Sequence, residues 1–112
     1  MLPELDTYDW REAFEYADPS RCEGATCSED AFTREGVKRI VAMEEGENDG
    51  PNWIGVFELH DGRFAFLTAG CDYTGWDCQA GGQSWVADDL GTLIQFGLDE
   101  DSRVRLSMNG VV

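Results

Sequence analysis

Four cysteines offer the first chemistry to consider in this sequence of 112 residues. They occur as two pairs along the chain, Cys22 with Cys27 and Cys71 with Cys78. Zinc-binding pairs are usually separated by about two to four residues, because a short turn then aims both thiolates at one ion. The first pair, with four intervening residues, lies at that limit, and the second, with six, lies outside it. Free thiols, a zinc site on all four cysteines and a reversible Cys71–Cys78 disulfide therefore all stay open.

Nucleophilic catalysis would need a base beside one of these thiols. His60 is the only histidine, and it falls in a predicted turn between two strands. The strand that follows would hold His60 roughly 25 Å from Cys71, at a rise of about 3.3 Å per residue. The sequence contains no nucleophile elbow, phosphate-binding loop or dinucleotide-binding glycine pattern. We therefore predict that the chain is not an enzyme, and zinc is the one cofactor that we keep as an alternative.

The segment Cys71–Gln79 places thiols, acids and aromatic rings directly after a predicted buried strand. It consists of Cys71, Asp72, Tyr73, Thr74, Gly75, Trp76, Asp77, Cys78 and Gln79. Loops held by a rigid scaffold often carry function. Tyr73 and Trp76 suit an amphipathic anchor for a protein partner, whereas Trp76 could equally close the open end of a sheet. We interpret this segment as a candidate binding loop.

The same segment resembles the hallmark of a family of short uncharacterised proteins from actinobacteria and their phages. The run Glu45–Gly50, Trp53 and the Asp61-Gly62-Arg63 turn are also similar to the pattern of that family. The resemblance extends over roughly Val37 to Leu98. It implies an origin but no activity, and many small phage proteins work by binding one host factor.

A second candidate site is the acidic turn, residues 45–51, which carries Glu45, Glu47 and Asp49. These carboxylates, like Asp72 and Asp77, have the chemistry of paired acids or cation ligands. The turn lacks the alternating acidic register of a calcium-binding loop. We therefore interpret it as a contact surface for a partner.

The charge of the chain limits the kinds of partner that it can bind. With 23 acidic and 8 basic side chains, the formal net charge is −15. This field repels nucleic acid phosphates and anionic lipid, so we expect no direct contact with nucleic acid or membrane. It suits a host or bacterial protein with a basic surface, including a nucleic-acid-binding protein that the chain would inhibit as a DNA mimic. A general role in solubility is the alternative.

No secretory signal pattern opens the sequence, and no apolar run approaches the roughly 18 residues of a membrane span. We therefore expect a cytoplasmic protein, in the host cytoplasm if a phage encodes it.

The elements that must position these residues follow from hydrophobic periodicity and turn signals. Two strands, Trp53–Leu59 and Arg63–Ala69, flank His60-Asp61-Gly62, where Asp-Gly predicts a type I′ turn. Their two faces are both largely apolar, which predicts a sheet that is covered on both sides. Ser84–Ala87 is predicted as a further strand.

Three helices are predicted around this sheet. The first runs over Asp9–Ala17 with Asp9 as its N-cap, and the second over Arg34–Glu45 with Thr33 as its N-cap. The third, Asp89–Phe96, has Asp88 or Asp89 as its N-cap and ends at Gly97. Residues 99–112 are predicted as an acidic turn followed by an edge strand or tail.

The sequence as a whole predicts one α+β domain over residues 1–112, with a core over about residues 9–98. Its small antiparallel sheet has three or four strands, with the hairpin at its centre, and two or three helices cover it.

Overall fold

The computed structural model of the chain describes residues 2–16, 33–71 and 81–107. Within these ranges the fold is a four-stranded antiparallel sheet with short helices, which confirms the predicted α+β class. The strands are β1 (Val37–Glu44), β2 (Trp53–Leu59), β3 (Phe64–Gly70) and β4 (Gly81–Ala87). They lie in the order β1-β2-β3-β4, so each strand pairs only with its neighbours along the chain.

The helical elements lie before and after the strands in the chain. Helix α1 spans Tyr8–Tyr16, helix α2 spans Leu90–Thr92 and continues as a π-helical turn over Leu93–Gly97, and helix α3 spans Glu100–Arg105. Short 3-10 turns lie at Pro3–Leu5 and Arg34–Gly36. No helix in the described part of the chain is long and apolar enough to cross a membrane.

The sheet separates two hydrophobic cores because successive side chains on a strand point to opposite faces. The first core lies under α1 and comprises Leu5, Trp10, Ala13, Val37, Trp53, Phe57, Leu59, Ala65, Leu67, Ala69 and Cys71. The second lies under the C-terminal helices and comprises Ile54, Val56, Phe66, Leu93, Ile94, Leu98 and Leu106. Both faces of the central hairpin are therefore covered, as its apolar pattern predicts.

The N-terminal helix is confirmed as α1, but its cap differs from the prediction. The side chain of Thr7 accepts a hydrogen bond from the backbone N–H of Trp10 at 3.3 Å, so Thr7 takes the capping role expected of Asp9. Asp9 lies in the first turn instead. Trp10 and Ala13 are completely buried against the sheet.

The predicted helix over Arg34–Glu45 is wrong. Thr33 does cap a helical turn, since its hydroxyl accepts from the N–H of Gly36 at 3.3 Å, but the chain then becomes strand β1. Two irregularities interrupt the pairing of β1 with β2. They bring Val37, Ile40 and Met43 into the same core, and this spacing of three imitates a helical stripe.

The turn between β2 and β3 also differs from its prediction. A type I′ turn needs positive φ at two central residues, whereas in this turn only Gly62 has a positive φ, of 91°. The N–H of Leu59 donates to the carbonyl of Arg63 at 2.8 Å, which closes a three-residue loop. The pairing of Trp53 with Ala69 and of Glu58 with Phe64 gives the register.

At the C-terminal end of the described chain, the helix after Asp89 is confirmed and the edge strand is wrong. The Asp89 carboxylate accepts from the N–H of Thr92 at 2.7 Å, as an N-cap does. The chain from Glu100 to Arg105 is helical, with acids in its first turn and arginines in its last. This distribution stabilises a helix by opposing the charges of its dipole.

The N-cap of α3 provides a test of this helix. Asp99 accepts from the N–H of Ser102 at 3.0 Å, so we expect Asp99→Ala to lower the free energy of unfolding by about 1 kcal/mol and Asp99→Asn to lower it by much less. Hydrogen bonds from Ser102 lower the pKa of Asp99 from its ordinary value of 3.8. A group with a depressed folded-state pKa stabilises the fold above its unfolded-state pKa, and the contribution disappears as pH falls through the folded-state pKa.

The stability difference between the unmodified chain and Asp99→Asn should therefore shrink between about pH 5 and pH 2. Urea unfolding across this range measures it. A difference that is independent of pH would contradict the capping role.

Candidate functional site

The two segments singled out in the sequence start from the same end of the sheet. In an up-and-down antiparallel sheet, the β1–β2 and β3–β4 connections share one end and the β2–β3 hairpin lies at the other. The acidic turn is the β1–β2 connection, and Cys71 follows the last residue of β3. The topology thus brings the acidic turn and the first residue of the Cys71–Gln79 segment together.

Hydrogen bonds join the acidic turn to Cys71. The N–H of Asp49 donates to the carbonyl of Cys71 at 3.0 Å, and the thiol of Cys71 donates to Oδ1 of Asn48 at 2.9 Å. Within the turn, the N–H of Glu47 donates to the carbonyl of Pro51 at 2.9 Å. These bonds fix the turn against the end of β3.

Local backbone geometry explains the residue types in this turn. Asp49 has a φ of +53°, in the left-handed region that Asp and Asn tolerate better than most residues. Gly46 lies against the backbone of the returning chain, and a Cβ there would meet the carbonyl oxygen of Pro51 and lie 2.6 Å from Trp53 N. Glycine is therefore required for the two strands to approach at this point.

Asn52 and Arg105 support the same end of the sheet from outside the predicted site. Nδ2 of Asn52 donates to the hydroxyl of Thr68 at 3.0 Å. Arg105 in α3 donates to the carbonyl of Asn52 and to the carboxylate of Glu44, both at 2.8 Å. Sequence reasoning missed both residues, because their partners are distant in the chain and α3 was predicted as an edge strand or tail.

The carboxylates of the acidic turn have no ionic partner among the described residues. Glu45, Glu47 and Asp49 are exposed, and none forms an ion pair with a cation in residues 2–16, 33–71 or 81–107. Arg105 is already engaged by Glu44. The turn therefore presents uncompensated negative charge to solvent.

Other acids have a role within the fold. The pKa of Glu58 is lowered chiefly by its hydrogen bond with Arg39, and that of Asp61 by the backbone N–H of Arg63. The pKa of Asp89 is lowered by its hydrogen bonds with Thr92. These carboxylates stabilise turns, helix caps and strand pairs. Among the described residues, the carboxylates of Glu45, Glu47 and Asp49 form no ion pair of this kind.

The geometry separates the only histidine from Cys71. His60 lies in the β2–β3 turn, where its N–H donates to the carbonyl of Gly36 at 3.1 Å. Cys71 lies beyond the opposite end of β3, whose seven residues span roughly 23 Å. Cys71 is 8% exposed and its thiol acts as a hydrogen-bond donor, so a Cys71–His60 pair is not formed.

Several predicted site residues lie outside the described residues. These are Cys22, Cys27, Asp72, Tyr73, Thr74, Gly75, Trp76, Asp77, Cys78 and Gln79. In the part of the chain that the structure describes, no three histidine, cysteine or acidic side chains are grouped as metal ligands. The four-cysteine zinc site and the disulfide therefore stay predictions.

Comparisons with protein-family models, curated proteins and solved structures found no match to this chain. The resemblance of the Cys71–Gln79 segment to actinobacterial and phage proteins thus stays a prediction.

Proposed function

We propose that this chain is a non-enzymatic interaction protein that binds a bacterial or host protein through the acidic turn and the adjoining Cys71–Gln79 segment. The partner offers a basic surface to this end of the sheet. A nucleic-acid-binding protein is one such partner, and its capture would make the chain a DNA mimic.

The observation that carries this proposal is the fixed, unpaired charge of the acidic turn. Hydrogen bonds to Cys71 hold the turn in place, and its three carboxylates are exposed and pair with no cation in the described part of the chain. Charges that are already positioned lose little conformational freedom on binding, and they steer an oppositely charged partner toward the site.

Neutralising the acidic turn should weaken binding of the partner about tenfold or more. The triple change Glu45→Gln, Glu47→Gln and Asp49→Asn keeps side-chain size, and Asn also tolerates the positive φ at position 49. Tagged protein is used to capture partners from actinobacterial lysate at moderate salt. One stoichiometric partner retained by the unmodified chain and lost by the variant is the expected result.

A matched control removes the same number of charges elsewhere. The control carries the changes Glu4→Gln, Glu12→Gln and Glu15→Gln, which lie in or near α1. They remove three negative charges, as the first variant does, and leave the acidic turn unchanged. This control should retain the partner. Equal loss from both variants, or bulk recovery of basic proteins that salt releases, would show that net charge alone is responsible.

A further inference from the structure

A groove on the second face of the sheet lies apart from the acidic turn. It is formed between β3, β4 and the π-helical turn, and its volume is about 340 Å³. Phe66 and Trp85 form one wall, with ring centroids 5.6 Å apart and planes 28° apart. Thr68 and Gln83 add polar groups at the same wall. An aromatic surface with a few polar groups is the usual character of a binding pocket.

Phe96, in the π-helical turn, also lines this groove and is 74% exposed. The N–H of Leu98 donates to the carbonyl of Leu93 at 3.2 Å, which is the i to i+5 bond of a π turn. This geometry keeps Leu93, Ile94 and Leu98 buried and leaves Phe96 outside the core. A large aromatic ring exposed beside an apolar groove is typical of an interaction site.

The rim of the groove is acidic. Asp99 lines it, and Glu100 and Asp101 follow directly in the chain, exposed at the start of α3. The two arginines of α3 are engaged by other groups. Arg103 donates to the carbonyls of Ile94 and Gln95 at 2.9 and 2.8 Å.

Arg105, the other arginine of α3, pairs with Glu44 on β1. Among the described residues, neither arginine forms an ion pair with the acids of the rim. The charge of Arg103 adds only a small contribution, after the hydrogen bonds from Ser102, to the lowered pKa of Asp99. The groove combines an aromatic interior with a negative margin, and this combination selects a ligand that is apolar at its centre and basic around it.

We infer that this groove binds a basic peptide segment of a protein partner that inserts one aromatic or large aliphatic side chain between Trp85 and Phe96. Stacking of an inserted ring on these aromatics contributes affinity, and the acids of the rim select flanking Lys and Arg. The inference rests on the proposed function in one respect, namely that the natural ligand of the groove is part of a protein. The groove itself is a separate surface from the acidic turn.

The test uses synthetic heptapeptides and the ¹⁵N-labelled full chain. One peptide has a central Trp flanked on each side by Lys and Arg, a second has Ala at the centre, and a third has the Trp flanked by Glu. NMR titration should show that the basic Trp peptide shifts the amides of Gln83, Phe96 and Gly97. The Ala-centred and acidic peptides should bind at least about tenfold more weakly.

Phe96→Ala should weaken binding of the basic Trp peptide about tenfold or more, and because Phe96 is largely exposed the thermal midpoint should barely change. Val104→Ala is the matched control, since Val104 is 57% exposed on α3 and does not line the groove. Equal binding by the Phe96→Ala variant, shifts spread over the whole acidic surface, or no binding of any of the peptides would overturn the inference.

The same titration separates this inference from the proposed function. The chain with a neutralised acidic turn should bind the Trp peptide normally, because its groove is intact. If the basic Trp peptide does not bind, while capture of the partner still requires the acidic turn, only the groove inference is contradicted. If the peptide binds, but the variant with the neutralised acidic turn still captures the partner, only the proposed function is contradicted.

Discussion

Replacing Gly46 by alanine should lower the free energy of unfolding by roughly 2–4 kcal/mol, one of the largest single effects in this chain. The added Cβ would meet the carbonyl oxygen of Pro51 and lie 2.6 Å from the backbone of Asn52 and Trp53. These are all backbone atoms, which cannot move aside as the end of a flexible side chain can. Urea unfolding at pH 7 measures the loss.

Gly81→Ala is the matched control for this change. In the described part of the chain, no atom beyond its own chain neighbours lies within 4 Å of a Cβ built at Gly81, so this variant should be close to neutral. If Gly46→Ala proved as stable as Gly81→Ala, the close approach of the chain at the acidic turn would be contradicted. Because the same contact fixes the carboxylates, Gly46→Ala should also weaken partner capture in protein that remains folded.

Replacing Trp10 by alanine should lower the free energy of unfolding by about 3–5 kcal/mol, a large fraction of the roughly 5–15 kcal/mol that is typical of a domain. Trp10 is completely buried between α1 and the sheet. Its ring packs edge to face against that of Phe57, with the ring centroids 6.5 Å apart. Truncation would leave a cavity in the first core and free α1 from its main contact. Thermal and urea unfolding, followed by circular dichroism, measure the effect.

Trp10→Phe distinguishes lost volume from a lost polar contact. Among the described residues, no hydrogen-bond acceptor reaches the buried Nε1 of Trp10, so phenylalanine removes an unsatisfied donor while keeping most of the ring. We expect this variant to lose less than half of what Trp10→Ala loses. Equal losses from both changes would mean that the indole nitrogen contributes a contact that the cavity argument omits.

The hairpin and the amphipathic helices were predictable because their signals are local. Trp53, Phe57 and Leu59 alternate with Ile54 and Val56, and the two sets enter different cores. Asp89 precedes an apolar stripe and caps the helix that follows it. Each of these features depends on residues within one turn or one strand.

Strand β1 was not predictable from its periodicity. Its two pairing irregularities place Val37, Ile40 and Met43 on one face, a spacing that a regular strand does not produce. The β-branched residues Val37, Ile40 and Val41 were the contrary signal, since such side chains favour strands. The pairing that overrides the helical pattern involves β2, which lies beyond the acidic turn.

Helix α3 was missed although its signals are present. Asp99 with Ser102 forms the cap, and Arg103 and Arg105 occupy the last turn. The acids were interpreted as a solvated turn because a six-residue helix shows little hydrophobic periodicity. The position of Phe96 also had a signal, since it lies off the Leu90, Leu93 and Ile94 stripe, but the groove depends on contacts with β3 and β4.

The contact between the acidic turn and Cys71 could not be predicted from the sequence. It depends on the order β1-β2-β3-β4, which brings positions about 22 residues apart to the same end of the sheet. Because the sequence pattern predicts a helix where β1 lies, it does not predict that the acidic turn connects two strands of the sheet.

The placement of the two cores also has a consequence for synthesis on the ribosome. Helix α1 precedes the strands that it covers, whereas Leu93, Ile94, Leu98 and Leu106 follow all of them. As the chain emerges, the first face of the sheet can be covered as the strands form, but the face with Ile54, Val56 and Phe66 stays uncovered until the helices after β4 have been made. During that interval the nascent chain exposes an apolar surface that can aggregate. Whether it aggregates depends on the speed of translation and on the chaperones that bind it.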